Sequence, residues 1–241
     1  EDPYWVAKDD AFAGHLFSNR TQRSILYHND GNNHFRDVSQ EAGLLAEGWS
    51  GDATPLDVND DGWLDLYVVN MQGNDEFYVN MEGKRFEEQS LNIFRKSMWG
   101  GMSAKSFDYD NDSAMDLMVT NMHADMWQLP EEVNVTWEKG KTPRQVIPES
   151  YLQSKVYVGD LILGNALFSK QNGGQFQDVS ESKNTENYWP WGLSVGDLNA
   201  DGFQDVFIAS CMNYPMRYHP NSLLLNDQGK TFRDAEFILG V

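Results

Sequence analysis

The chain has 241 residues, 40% of them hydrophobic and 13% aromatic, with eight Trp and 20 Gly, a mix that excludes disorder and suits many short strands joined by tight turns. Its formal charge of −19 repels nucleic acid and anionic membranes and makes cations the natural partners. Cys211 is the only cysteine, so no disulfide forms within the chain. No apolar run approaches the ~20 residues of a membrane span.

The chain opens at Glu1 and Asp2 without a signal-like segment, which reads as a processed or excised mature chain. The first patterned segment runs from Ile25 to Ser39, an apolar strand, an Asn/Asp/Gly turn and an aromatic strand carrying Phe35-Arg-Asp-Val-Ser39. This is a hairpin signature. An acidic loop follows at Asp57-Val-Asn-Asp-Asp-Gly-Trp-Leu-Asp65, then a strand-forming run to Asn70. The same pair of elements then recurs. Hairpins return at Phe77–Phe86, Leu167–Phe176 and Leu223–Phe232, and acidic loops at Asp108–Asp116 and Asp197–Asp205.

The phase between the two elements is nearly constant: 22 residues from Phe35 to Asp57, 22 from Phe86 to Asp108 and 21 from Phe176 to Asp197. Asp57 and Asp108 are 51 residues apart, a step that fits one four-stranded propeller blade better than a helical solenoid unit. The next step, to Asp197, is 89 residues. The excess predicts an insertion at about 122–164, with Trp127, Trp137, Pro130, Pro143 and Pro148. Either it carries specificity or it covers an exposed edge. The whole chain, 1–241, reads as a single all-β domain.

Each acidic loop follows D-x-[DN]-x-D-[GS]-x-x-D. Calcium takes six to eight oxygens, so a loop that holds it must curl until alternate residues point inward. The first loop offers Asp57, Asn59, Asp61 and Asp65 with the Trp63 carbonyl; the second Asp108, Asp110, Asp112 and Asp116 with the Ala114 carbonyl; the third Asp197, Asn199, Asp201 and Asp205 with the Phe203 carbonyl. About three calcium ions are expected, in a structural role. Ser113 stands where the other loops have Gly, which predicts the weakest site there, because a side chain in the left-handed region costs about 1 kcal/mol. An EF-hand is excluded: the twelfth positions are Val68, Val119 and Ile208, not the bidentate Glu that closes such a site.

These motifs resemble the FG-GAP/VCBS repeat family of integrin α-like propellers, especially its bacterial and cartilage acidic protein-like branch. The resemblance spans about residues 25–121 and 165–237, and rests on runs such as Asp57–Asn70 with Asn80 and Phe86. It implies a β-propeller of FG-GAP-like blades with calcium loops on one face and ligand-binding loops on the other. Such propellers usually have seven blades, so three acidic loops and four hairpins imply a small or incomplete ring. Its unpaired edges would favour a homo-oligomer or filament.

The leading expectation is an extracellular, cell-surface or periplasmic module for adhesion, assembly or ligand binding, with a protein or glycan ligand and no catalytic role. The alternative is a carbohydrate-active enzyme or carbohydrate-binding domain on the same fold, using the insertion, with Trp127 or Trp137 as an aromatic platform, and the loops near Asn70, Asn121 and Ser210. Met71, Met122, His123, Cys211 and Met212 fall at equivalent strand ends and form a candidate soft-metal site; simple apolar packing is the alternative. Asn19, Asn111 and Asn134 begin glycosylation sequons. No nucleophile elbow, Walker loop or zinc motif is present.

Overall fold

The described residues of the computed structural model are 23–46, 48–71, 73–98, 100–122, 160–162, 164–187, 190–210, 212–213 and 217–240. A leading hairpin, β1 (Tyr27–Gly31) and β2 (His34–Asp37), closes on one helical turn, α1 (Ser39–Ala42). The first sheet comprises β3 (Ser50–Leu56), β4 (Asp65–Asn70), β5 (Glu76–Asn80) and β6 (Phe86–Glu88), and ends in α2 (Ser90–Ile93). A short β7 (Lys96–Met98) leads into the second sheet, whose strands are β8 (Gly101–Phe107) and β9 (Asp116–Asn121), then, beyond β10 (Asp160–Ile162), β11 (Ala166–Lys170) and β12 (Phe176–Asp178), with α3 (Ser180–Lys183). The third sheet has β13 (Pro190–Gly196) and β14 (Asp205–Ser210), a ribbon of β15 (Met212–Asn213) and β16 (Arg217–Tyr218), then β17 (Ser222–Asn226), β18 (Phe232–Asp234) and α4 (Glu236–Leu239).

Each four-stranded sheet is antiparallel, with its strands side by side in chain order. Its outer hairpin turns through two successive left-handed residues, Glu82 and Gly83, Gly173 and Gly174, or Gln228 and Gly229, the geometry a tight hairpin needs. The recurring Asp-Val-Ser also has a local cause. Asp37 Oδ1 accepts the Ser39 backbone N–H at 2.9 Å, and the Ser39 hydroxyl accepts the Leu26 N–H at 2.9 Å. Ser180 repeats this with Asp178 and the Leu167 N–H, so each helical turn is tied back to the strand before it.

The first strands of the three sheets lie next to one another, β3 against β8 and β8 against β13. At the first of these seams Thr54 Oγ1 donates to the Ala104 carbonyl at 2.6 Å, while Asp52 Oδ2 accepts the Ala104 N–H at 3.1 Å and the Ser103 hydroxyl at 2.7 Å. One apolar core, around Phe77, Phe94 and Phe168, fills the space between the first and second sheets; another, around Phe107, Tyr109, Leu224 and Phe232, lies between the second and third. The architecture is all-β and propeller-like. Among the described residues the sheets do not close into a ring.

Most of the expected insertion, residues 123–159 with Trp127 and Trp137, lies outside the described residues, as do His123 and Cys211 of the candidate soft-metal site. Met122 is buried at the end of β9.

Candidate metal centres

The three acidic loops occupy the same place, between the first and second strands of each sheet, and fold alike. In the first, Asp57 Oδ1 and Oδ2 accept the N–H groups of Asp61 and Gly62 at 3.1 and 2.8 Å. Asp108 does the same for Asp112 and Ser113 at 3.1 and 2.8 Å, and Asp197 for Asp201 and Gly202 at 3.0 Å each. The fifth-position carboxylates turn back onto the seventh residue: Asp61 accepts the Trp63 N–H at 2.8 Å, Asp112 that of Ala114 at 2.8 Å and Asp201 that of Phe203 at 2.9 Å. Asn59 and Asn199 accept the fifth-position N–H at 3.1 and 2.9 Å.

The ninth-position Asp, expected to close a metal site, is in addition the staple that holds the loop to its sheet. Asp65 accepts the Val58 N–H at 2.9 Å and the Asn80 N–H at 2.7 Å; Asp116 accepts those of Tyr109 at 3.2 Å and Lys170 at 2.8 Å; Asp205 accepts those of Leu198 at 2.9 Å and Asn226 at 2.8 Å. All three are buried. Each oxygen uses one lone pair this way and keeps another for a cation.

The second loop has the most concentrated charge. Asp108, Asp110 and Asp116 each place a carboxylate oxygen within 4.8 Å of the others. Asp110 Oδ1 is buried and accepts no hydrogen bond among the described residues, whereas Asn59 and Asn199 at the same position have theirs engaged. A buried carboxylate oxygen without a donor calls for a cation. Burial, reinforced by Asp110 and Asp112, pushes the Asp116 carboxyl up to about 7, and burial with Asp61 and Asp57 raises Asp65 in the same direction. A divalent cation would relieve both. The donor set is all oxygen, which fits calcium. Ser113 does adopt the left-handed conformation, φ +73°, as Gly62 and Gly202 do, so the backbone strain expected there stands against the fuller set of carboxylates.

The loops are also seams between sheets, which their sequences do not announce. Lys170 Nζ, buried in the second sheet, reaches across to the first loop and donates to Asp60 Oδ1 at 2.7 Å and to the Asp57 carbonyl at 3.4 Å. Asn226 Nδ2 in the third sheet donates to the Tyr109 carbonyl of the second loop at 2.8 Å, and Asn111 Nδ2 of that loop to the Gly202 carbonyl at 3.0 Å. A Cβ at Gly229 would stand 2.6 Å from Asp110 Cβ, so glycine is needed for the two sheets to meet.

The family model described as FG-GAP-like repeat matches the chain three times, over residues 8–68, 57–119 and 155–208. Together the matches span well over half of it, and each ends in the strand after an acidic loop. The chain belongs to the FG-GAP-like repeat family. No curated protein matches it. FG-GAP repeats are generally extracellular adhesion or ligand-binding modules, and no helix among the described residues is long and apolar enough to cross a membrane.

Proposed function

We propose that the chain is a calcium-stabilised, extracytoplasmic module for adhesion, assembly or ligand binding, in which calcium is structural and the role is binding rather than catalysis. The observation that carries this reading is the convergence of Asp108, Asp110 and Asp116 around a buried, donorless carboxylate oxygen. The loop spacing, repeated at Asp57–Asp65 and Asp197–Asp205, extends it to three ions. The ligand is a protein or glycan outside the cell, met at the strand ends near Asn70, Asn121 and Ser210, opposite the acidic loops. The millimolar calcium outside cells suits loops of modest affinity.

Thermal unfolding with excess calcium and with chelator, read beside the metal content of the purified chain, tests this. A site held at a hundredfold its dissociation constant adds about 2.7 kcal/mol, and a domain of this size gains ~2–4 °C per kcal/mol. The expected result is a clear calcium-dependent rise with about three bound ions. No bound calcium and an unchanged melting temperature would sink the reading.

A further inference from the structure

Asn80, Lys170 and Asn226 pair with Phe86, Phe176 and Phe232 and so hold the same place in their sheets. The two asparagines close their own repeats. Nδ2 of Asn80 donates to the Leu64 carbonyl at 3.0 Å and that of Asn226 to the Gln204 carbonyl at 3.0 Å, each at the eighth position of its acidic loop. Their Oδ1 atoms accept the Gly83 and Gly229 N–H groups at 2.8 Å. A lysine accepts nothing. Lys170 forgoes the hairpin bond and reaches the neighbouring loop instead, with Nζ 2.7 Å from Asp60 Oδ1 and 3.4 Å from the Asp57 carbonyl.

The Lys170 side chain is 6% exposed and that of Asp60 is 80% exposed. Water therefore screens the carboxylate, whereas the ammonium acts on the loop from its protein side, through a medium of lower dielectric. Asp57 is the first oxygen donor of that loop, so an ion entering it meets a fixed positive charge. The second loop has the opposite arrangement. Asn226 brings a neutral amide to the Tyr109 carbonyl at 2.8 Å. Asp110 stands where the first loop has Asn59, and its Oδ1 is buried without a donor among the described residues.

We propose that Lys170 is a tethered cation that lowers the calcium affinity of the first loop and supplies part of the ion's charge when calcium is absent. The first loop then fills after the second as calcium rises and empties before it as calcium falls. This rests on the reading of the loops as calcium sites. One charge has two opposite effects: it opposes a bound ion, and in the empty loop it keeps the first and second sheets bridged at Asp60 and Asp57.

Terbium(III), a hard cation that oxygen sites for calcium accept, reads the first loop alone. Trp63 lies in that loop where the others have Ala114 and Phe203, so terbium emission excited through tryptophan reports it, and Trp63→Phe should abolish the signal. Lys170→Asn, which installs the residue of the other two sheets, should tighten first-loop binding of terbium, and of calcium measured by displacement, by about tenfold. Its melting temperature should fall further below wild type in chelator than in excess calcium. An equal fall in both, with first-loop affinity unchanged or weakened, is what a purely structural lysine gives; it overturns the proposal and leaves the loops as calcium sites. Binding of neither ion in any loop overturns the calcium reading and the proposal with it. A second arm leaves Lys170 in place: in the wild-type chain total terbium uptake, followed by calorimetry, should run ahead of the Trp63 signal. Asp110→Asn should weaken that early phase and leave the Trp63 signal where it was. A Trp63 signal that precedes second-loop filling, as strain at Ser113 alone would have it, overturns the proposal.

Discussion

Position four of each acidic loop shows how much of a curled loop is decided by single backbone conformations. Asp60, Asn111 and Ala200 all stand there at φ near +60°, a conformation that costs an ordinary L-residue about 1–2 kcal/mol and that Asn and Asp tolerate better. Ala200 has no side-chain compensation for it. Ala200→Gly removes the steric term and gives back part of the gain by loosening the unfolded chain, for a net stabilisation of about 0.5–1 kcal/mol. Urea unfolding at fixed calcium measures it. A destabilised variant would mean that the Ala200 methyl is not the strained group. This position is silent in the D-x-[DN]-x-D pattern, which records oxygen donors, whereas the strain belongs to a residue that donates none.

At the scale of elements, the start of each third strand is capped by a side chain that bonds the end of the second. Asn165 Oδ1 accepts the Asn121 N–H at 3.0 Å and Asn221 Oδ1 accepts the Ser210 N–H at 3.1 Å; in the first sheet Asp75 Oδ1 accepts the Asn70 N–H at 2.7 Å, with Tyr67 OH donating to its other oxygen at 3.0 Å. Burial pushes the Asp75 carboxyl up to about 7, and burial beside it raises the Tyr67 phenol well above its ordinary range. A carboxyl whose folded value lies above its unfolded value binds a proton more readily when folded, so stability is lost as pH rises from about 4 through 7. Each pH unit of displacement is about 1.4 kcal/mol. Asp75→Asn, which installs the residue the other two sheets use, should abolish that loss: wild type should fall by on the order of 2 kcal/mol more than the variant between about pH 5 and about pH 8. Denaturant unfolding of both at matched calcium checks it, and parallel curves would refute it. The elements themselves were legible because hairpin turns and acidic loops are written in Gly, Asn and Asp at a fixed phase. The cross-sheet partners Lys170 and Asn226 were not. Their neighbours in space lie more than a hundred residues away, and a lone Lys or Asn on a strand carries no mark of the loop it will meet.

At the scale of the whole molecule, among the described residues the second sheet is the only one of the three four-stranded sheets that shares an apolar core with both of the others, so there it links the first sheet to the third. The first core is organised by Phe94, just past α2. Its ring stacks on Phe176 at 4.7 Å between centroids and meets Phe168, Phe77 and Tyr67 edge-on at 5.0, 5.2 and 5.2 Å. Three of these rings approach it as edge-to-face pairs, the arrangement that aromatic quadrupoles favour. Phe94→Ala leaves a cavity at that seam and should remove about 3–5 kcal/mol. The loss should not be uniform, because the core around Tyr109, Leu224 and Phe232 contains no part of the aromatic cluster. Native-state hydrogen exchange should therefore show protection falling first in β4 and β5, while β14 and β17 keep theirs until global unfolding. Equal loss of protection in all four strands would mean that the three sheets open as one cooperative unit and that the seams do not divide it.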